Sequence, residues 1–194
     1  MTRDDILSHF RQTGAMLEGH FVLSSGLHSD RYLQCAKALE FSQDAMKYGK
    51  EIARLAELHS LVADTIASPA IGGLVIGFAA AAAMNLRFIW TERVNGQMQL
   101  RRGFRLRRAE KVIVVEDVIT TGGSTKECIQ VIEENGGEVI AAASIIDRSG
   151  GRADVGVKRF SLLTLEAPSF TPEECPLCKQ GSKPEKPGSR QSAG

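Results

Sequence analysis

Residues 112–125 have the sequence VIVVEDVITTGGST, and no other segment of the chain carries as informative a pattern. Its first residues are apolar and mostly β-branched, which is typical of a buried strand. Two carboxylates, Glu116 and Asp117, follow directly, and a run of hydroxyl and glycine residues comes next. Ser124 and Glu127 have the spacing of a capping box, which predicts that a helix begins at Ser124. The whole pattern predicts a strand, an acidic turn and a helix.

The loop at the start of this helix is suited to an anion. Gly122 and Gly123 let the backbone approach a ligand closely, and the first turn of a helix offers unpaired N–H groups and a positive dipole. A phosphate fits such a loop. Because the two carboxylates would repel a phosphate that faced them, we expect them to face sugar hydroxyls or a divalent cation, so a phosphorylated sugar suits both halves. The alternative is an ordinary strand-to-helix turn.

Two familiar phosphate motifs are excluded. The loop lacks the Gly-Lys-Ser/Thr ending of a P-loop and the Gly-x-Gly-x-x-Gly spacing of a dinucleotide fold. The segment instead resembles the phosphoribosyl pyrophosphate (PRPP) signature of type I phosphoribosyltransferases, and its EDVITTGGS form is similar to that of the orotate phosphoribosyltransferases in that family. Similar segments cover nearly the whole chain: SPAIGG at 68–73, TER at 91–93, LRRGF at 100–104, DRSGG at 147–151 and CPLCK at 175–179.

The resemblance implies both a fold and an activity. The fold is α/β and doubly wound, with a mostly parallel central sheet and a small N-terminal hood, as the repeated strand–loop–helix pattern also indicates. The activity is transfer of the phosphoribosyl group from PRPP to orotate, giving orotidine 5′-monophosphate and pyrophosphate in de novo pyrimidine biosynthesis. The implied cofactor is Mg²⁺, bound mainly through PRPP without a firm protein ligand. The implied assembly is a homodimer.

The resemblance also implies site residues. The expected PRPP-binding residues are Glu116, Asp117, Val118, Ile119, Thr120, Thr121, Gly122, Gly123 and Ser124, with Ala70, Ile71 and Gly72 from a second loop. The expected orotate contacts are Ser25, Thr120 and Arg148. An arginine suits a carboxylated ligand because its planar fork can bind a carboxylate through two hydrogen bonds; Arg148 could instead pair only with Asp147. Loop 68–73 could equally serve tight packing. Many relatives have lysines where Ser24 and Gly72 stand.

Residues 92–110 are rich in glycine and arginine and lack helical periodicity, which predicts a long flexible loop. The resemblance implies a loop that closes over PRPP and brings positive charge to the departing pyrophosphate. Arg93 and Arg101 are therefore candidate catalytic residues beside Glu116 and Asp117, and Glu92 is expected to pair with one of these arginines. The alternative for the arginines is a solvated surface ribbon.

Bulk properties indicate a globular enzyme. The 194 residues have 43% hydrophobic content and a net charge of +1, which argues against a dedicated nucleic-acid binder. The charged N-terminus does not resemble a signal peptide, and the longest apolar run is too short to span a bilayer, so we expect a cytoplasmic protein without a membrane partner. Other functions left open are a purine or uracil phosphoribosyltransferase and a PRPP-responsive regulator that binds nucleic acid.

The patterns predict one domain over 1–181, with a hood at about 1–40, a core at about 42–166 and a flexible tail at 182–194. The predicted helices cover 3–18, 42–59 and the residues after 73 and 124; the predicted strands cover 21–23, 31–33, 61–67, 87–91, 112–115, 138–146 and 160–165. His28 is interpreted as a surface turn residue. Cys175 and Cys178 form half of a possible zinc site, but the chain has no second cysteine pair to complete it.

Overall fold

The computed structural model describes residues 1–23, 25–166 and 168–187. Six helices and nine strands follow one another along this part of the chain. In order they are α1 (Arg3–Gln12), β1 (Met16–Val22), β2 (His28–Leu33), α2 (Cys35–Ala38), α3 (Ser42–Leu58), β3 (Thr65–Pro69), α4 (Gly73–Met84), β4 (Arg87–Val94), β5 (Gln97–Leu100), β6 (Glu110–Ile119), α5 (Gly123–Glu134), β7 (Gly137–Asp147), β8 (Arg159–Thr164), β9 (Ser169–Phe170) and α6 (Pro176–Lys179).

A six-stranded sheet with the order β5-β4-β3-β6-β7-β8 forms the centre of the molecule. Its neighbouring strands are parallel except for the β4–β5 pair. On β6, Ile113 and Val115 belong to a buried cluster with α3 and α4, whereas Val112 and Val114 belong to a second cluster with α5. Helices therefore cover both faces of the sheet, which confirms the predicted doubly wound α/β fold.

The N-terminal helix is shorter than predicted. Thr2 caps α1 through a capping box with Asp5, and the helix ends at Gln12 instead of continuing to residue 18. Gly14 has φ +68°, a value that an L-residue rarely adopts and that turns the chain out of the helix. Residues from Met16 onward form β1, so the apolar residues after Gly14 belong to a strand.

A second, smaller sheet forms the hood, with the antiparallel order β1-β2-β9. Its third strand comes from the C-terminal part of the chain, so the hood contains more than the predicted residues 1–40. Glu185 exchanges two backbone hydrogen bonds with β1, one to His20 O and one from Val22 N. Residues 182–187 thus run along the hood where a mobile tail was predicted; residues 188–194 of that tail lie outside the described part of the chain.

Two elements differ in detail from their predictions. His28, interpreted as a surface turn residue, lies on β2 and is only 6% exposed. The predicted flexible loop over 92–110 is also wrong in its first half, because β4 continues to Val94 and pairs with β5 through a hairpin. Asn95 and Gly96 both have positive φ in its turn, as a two-residue Asn-Gly hairpin turn requires.

The other predicted elements are present with shifted ends. The predicted helix over 42–59 is α3, the helix after residue 73 is α4, and the strand over 61–67 is β3, displaced toward the C-terminus. Across residues 1–23, 25–166 and 168–187, none of the helices combines the length and the apolar content needed to cross a bilayer.

Candidate active site

β6 carries the two carboxylates at its C-terminal end. Glu116 and Asp117 lie inside the strand, which continues to Ile119, so the predicted acidic turn is a continuation of the strand. Glu116 is 7% exposed, and Thr125 Oγ1 donates a hydrogen bond of 3.5 Å to its Oε2. Asp117 is partly exposed, and its Oδ1 accepts a 2.8 Å hydrogen bond from Val118 N. β6 thus holds two carboxyl groups near the C-terminal ends of the parallel strands, where ligands of such sheets usually bind.

Burial shifts the protonation of both groups. Burial, and next the charge of Asp117, raise the pKa of Glu116 to about 9, while burial also raises the pKa of Asp117. Two desolvated carboxyl groups side by side disfavour the doubly ionised state. A ligand that supplies hydroxyl donors or a cation would relieve this cost, so the pair is suited to a polyhydroxylated or metal-bound ligand.

The loop after β6 leaves the start of α5 open. Gly122 has φ +83° at the N-cap, and no side chain among the described residues caps the helix. The predicted capping box of Ser124 and Glu127 is therefore wrong: the helix begins at Gly123, and Ser124 lies exposed in its first turn. Because no side chain occupies the first-turn N–H groups, they can bind an anion. A cavity of about 240 Å³ is lined here by Glu116, Asp117, Val118, Ile119, Thr120, Thr121, Gly122, Gly123, Ser124 and Thr125.

A second loop meets the carboxylates from the side of β3. The chain leaves β3 at Pro69, and Ala70 N donates a 2.7 Å hydrogen bond to Thr91 O. A Cβ added to Gly72 would lie 2.7 Å from Asp117 Oδ1, so the loop passes that carboxylate too closely for a side chain at this position. Ile71, between them, is 84% exposed. The structure thus brings residues 70–72 beside Asp117, although they do not line the 240 Å³ cavity.

A larger cavity of about 560 Å³ adjoins the first. Its lining residues are Leu23, Ser25, Leu27, Thr120, Thr121, Arg148, Ser149, Arg152, Ala153, Asp154 and Ser169. They come from the hood, from the loop after β6 and from the chain after β7. All three predicted orotate contacts, Ser25, Thr120 and Arg148, are among them. Ser24, the position where many relatives have a lysine, lies outside the described residues.

Arg148 is free of the carboxylate beside it in sequence. Asp147 instead pairs with Arg159 and accepts hydrogen bonds from Ser149 N and Oγ. Burial raises the pKa of Asp147, but the bonds from Ser149 and Arg159 outweigh it and hold that pKa below its usual value. The structure therefore does not show the alternative in which Arg148 pairs only with Asp147. The half-buried guanidinium lines the larger cavity, where burial lowers its pKa.

A second cation of this cavity was missed in the sequence. Arg152 lines it and pairs with Glu166 at 2.7 Å. It lies four residues after Arg148, and the intervening glycines turn the chain back toward the cavity, with φ +64° at Gly150 and +86° at Gly151. The glycine pair was the available signal, because a tight turn returns the following side chain to the same site.

The predicted catalytic arginines lie apart from both cavities. Arg93 pairs with Glu127 of α5 at 2.7 Å and donates to Gly96 O. Arg101 pairs with Glu92 at 3.3 Å, and Arg102 binds the same carboxylate. Glu92 therefore pairs with arginines of this segment, as the sequence predicted. Neither Arg93 nor Arg101 lines either cavity in this conformation.

Comparison with known proteins gives one family. Residues 43–172 match the family model described as a phosphoribosyl transferase domain. An orotate phosphoribosyltransferase of Thermotoga maritima is 51% identical over 179 residues, which cover 92% of this chain and 95% of that protein. An orotate phosphoribosyltransferase of Desulforamulus reducens is 47% identical over 191 residues, covering 98% of this chain and 99% of that protein.

Solved structures share the fold. The crystal structure of orotate phosphoribosyltransferase from Aeropyrum pernix matches with a TM-score of 0.64 at 27% identity, covering 83% of this chain and 94% of that one. The Mycobacterium tuberculosis enzyme in complex with PRPP matches with a TM-score of 0.66 over 84% of this chain and 96% of that one. At 22% identity, the second likeness concerns the fold alone.

Proposed function

This chain belongs to the orotate phosphoribosyltransferase family, and we propose that its two adjoining cavities transfer the phosphoribosyl group from PRPP to orotate. The products are orotidine 5′-monophosphate and pyrophosphate. One observation carries the proposal: the smaller cavity, which contains Glu116 and Asp117, and the larger cavity, which contains Arg148, share Thr120 and Thr121. A phosphorylated sugar in the first cavity and an anionic ring in the second would therefore meet at these two threonines.

The smaller cavity is suited to the phosphoribosyl half of PRPP. The open N–H groups at the start of α5 and the hydroxyls of Thr120, Thr121 and Ser124 offer hydrogen-bond donors to the 5′-phosphate. Glu116 and Asp117 accept hydrogen bonds from the ribose hydroxyls. Gly72 lies close to Asp117, so we assign the pyrophosphate on the ribose C1 carbon to the backbone of residues 70–72.

The larger cavity is suited to orotate. The planar guanidinium of Arg148 can hold the orotate carboxylate through two hydrogen bonds. Ser25 of the hood and Thr120 of the loop supply hydroxyls on other sides of the ring. Since the cavity is walled by the hood and by the core, orotate is held between these two parts of the molecule.

The chemistry is mainly electrostatic. The bond from C1 to the pyrophosphate oxygen breaks and its electron pair leaves with pyrophosphate, while N1 of orotate forms the new bond to C1 and releases its proton to solvent. Positive charge grows on the ribose as this happens, and the carboxylates Glu116 and Asp117 stabilise it. Fixing the phosphate and orotate on either side aligns N1 with C1. On closure of the β4–β5 hairpin, Arg93 and Arg101 exchange their carboxylate partners for the departing pyrophosphate.

The donor set also fits Mg²⁺. Glu116 and Asp117 are hard oxygen donors, and their raised pKa values reflect a buried carboxylate pair that a cation would stabilise in the ionised form. Mg²⁺ would be held mainly by PRPP, and Glu116 and Asp117 would be the protein carboxylates available to it. When bound, it neutralises charge on the leaving pyrophosphate.

The family also suggests a cellular setting. The enzyme acts in pyrimidine biosynthesis, as a cytoplasmic homodimer. The net charge of +1 supports small-molecule substrates over nucleic acid as partners.

A substrate panel tests the proposal. The purified chain is incubated with PRPP and Mg²⁺ and with orotate, uracil, hypoxanthine or adenine, and consumption of each base is followed by its ultraviolet absorbance. Orotate alone is expected to be consumed, with equimolar release of pyrophosphate. Turnover of a purine or of uracil in place of orotate would refute orotate as the acceptor. Turnover of none of the four bases would refute the proposed transferase activity.

A further inference from the structure

Four side chains of the hood point their metal-binding atoms at a common centre. They are His20 of β1, His28 of β2, and Cys175 and Cys178 at the start of α6. All four ligand atoms lie within 4.8 Å of one another. The two histidines and Cys175 are buried, and Cys178 is half-buried. We call these residues the hood cluster; it is separate from both cavities of the proposed active site.

The spacing of these atoms matches a tetrahedral zinc site. Zinc binds sulfur at about 2.3 Å and nitrogen at about 2.0 Å, so a regular tetrahedron separates two nitrogens by about 3.3 Å and sulfur from nitrogen by about 3.5 Å. The nitrogens His20 Nε2 and His28 Nδ1 are 3.0 Å apart. Cys175 Sγ and Cys178 Sγ lie 3.4 and 3.7 Å from His20 Nε2, and Cys178 Sγ lies 3.2 Å from His28 Nδ1.

The outer hydrogen bond of His20 gives this ring the form that a metal needs. Its Nδ1 lies 3.1 Å from Ser182 O. A carbonyl oxygen only accepts, so Nδ1 carries the hydrogen and donates it, which leaves Nε2 with a free lone pair directed at the other three groups. A backbone carbonyl that holds the second ring nitrogen of a ligating histidine is a common feature of zinc sites.

Sequence spacing and local structure agree with this arrangement. Cys175 and Cys178 form a Cys-x-x-Cys pair around Pro176, the first residue of α6, and this short turn places both thiols on one side. The two histidines come from antiparallel neighbours, β1 and β2, whose pairing is irregular between Glu18 and Phe21. Two cysteines and two histidines are a common donor set of structural zinc sites without an open coordination position.

We propose that the hood cluster binds one Zn²⁺ tetrahedrally and that this ion ties the C-terminal segment to the N-terminal hairpin. The hairpin loop carries Ser25 into the larger cavity, so the ion also fixes the hood wall of the proposed acceptor site. Its role is structural, because all four positions are filled by protein and none is left for a substrate. The two thiols bind as thiolates, and their protons go to solvent.

Metal content of the wild-type chain is the first measurement. The protein is expressed with zinc in the medium, its affinity tag is removed, and it is dialysed against metal-free buffer before elemental analysis. About one zinc per chain is expected from four protein ligands. A fully reduced, folded protein without bound metal would overturn the proposal, as would an intact mass that shows a Cys175–Cys178 disulfide.

Cobalt substitution tests the ligand set without any mutation. Co²⁺ exchanged into the wild-type chain is expected to show intense visible absorption of a tetrahedral site and a thiolate-to-metal band in the near ultraviolet. Weak absorption typical of octahedral cobalt, with no thiolate band, would refute the Cys₂His₂ site. This measurement does not depend on whether a ligand variant folds.

Matched substitutions locate the site. Cys178→Ser and His28→Asn should lose zinc, whereas Cys128→Ala and His59→Ala, which remove a cysteine and a histidine outside the hood cluster, should retain it. Chelation of zinc from the wild type should lower the melting temperature and raise the KM for orotate, and added zinc should restore both. Zinc retained in both ligand variants would place the metal elsewhere and overturn the assignment.

Discussion

At the scale of single residues, Arg148 is the side chain whose removal should separate the two substrates. It lines the larger cavity and not the smaller cavity that contains Glu116 and Asp117. A hydrogen bond to a charged group contributes about 1.5–3 kcal/mol, so Arg148→Ala should raise the KM for orotate about 10- to 150-fold. The KM for PRPP should change little. Steady-state kinetics with each substrate varied in turn measure both values.

Two further variants make this test specific. Arg148→Lys keeps the charge but loses the planar fork, so it should lie between the wild type and Arg148→Ala. Arg152→Ala removes the other cation of the cavity, which is held by Glu166, and it should have a smaller effect. Equal losses for orotate and PRPP in Arg148→Ala would assign the residue a structural role.

Glu116 should make the ligand-free protein less stable as the pH rises. Its folded pKa is raised from the ordinary 4.5 to about 9, so between these values the folded state keeps a proton that the unfolded state has lost. The free energy of unfolding therefore falls as the pH rises through this window. Glu116→Gln cannot lose that proton, so its stability should fall less between pH 6 and pH 8, by about 1 kcal/mol or more.

Urea unfolding at several pH values between 5 and about 9 measures this difference. Glu133→Gln, an exposed carboxyl of α5, is the control and should follow the wild type. Parallel pH profiles for the wild type and Glu116→Gln would show that Glu116 is ionised in the folded protein at neutral pH.

Residues that are close in sequence were the easiest to group into a candidate site. Glu116 to Ser124 are consecutive, from the end of β6 to the start of α5, so their composition alone predicted a sugar-phosphate site, and all nine line one cavity. His20 and His28 were missed as partners of Cys175 and Cys178. A search for a second cysteine pair cannot find them, because a chain separation of more than 140 residues is closed only by the tertiary fold.

At the scale of elements, the β4–β5 hairpin should be needed for turnover and not for stability. Arg101 pairs with Glu92 at the surface, and exposed ion pairs contribute less than about 1 kcal/mol. If the hairpin closes on pyrophosphate, Arg101→Ala should lower kcat/KM for PRPP about 10-fold or more. Its melting temperature should remain that of the wild type.

Arg108→Ala is the matched control, since Arg108 is also exposed in the segment after β5. It should retain wild-type turnover. Normal turnover in Arg101→Ala would remove this residue from the catalytic machinery and leave the backbone of residues 70–72 as the main pyrophosphate contact.

Elements were predicted best where hydrophobic periodicity is strong. α3, α4 and β7 have continuous apolar faces or runs, and their existence was evident in the sequence. The β4–β5 hairpin was not, because its arginines and glutamines obscure the alternation; Asn95-Gly96 was the usable signal. The hood strand β9 has only two residues, too few for any periodicity, and its pairing with β2 depends on the fold.

At the scale of the whole molecule, substitutions at the two ends of the parallel strands should have different effects. Those at the end opposite the cavities should change stability and leave substrate binding unchanged. Glu110 begins β6, at the end opposite the cavities, and is 3% exposed. Its carboxylate accepts hydrogen bonds from Thr65 of β3, Arg87 of β4 and the backbone N–H of Arg107. Burial raises its pKa, but the bonds from Thr65 and Arg107 outweigh it and lower that pKa below its usual value.

Glu110→Gln should therefore destabilise the protein by about 1–3 kcal/mol at neutral pH, because it loses charged hydrogen bonds in a buried position. The KM values should be unchanged. Since the folded pKa is lowered, the contribution of Glu110 is present above its ordinary pKa of 4.5 and is lost as the pH falls below it. Urea unfolding measures the loss, with exposed Glu138→Gln as control; an altered KM with unchanged stability would contradict it.

The hood sheet has a consequence for synthesis of the chain on the ribosome. The strands β1 and β2 are made before the core, and within the described part of the chain they are joined by β9 and by the backbone of Glu185, which are made after the core. The intervening core can bury its own apolar faces earlier, as domains fold during translation. The β1–β2 hairpin must therefore wait, partly unpaired, until β9 and Glu185 have left the ribosome, so the proposed acceptor cavity forms later than the core.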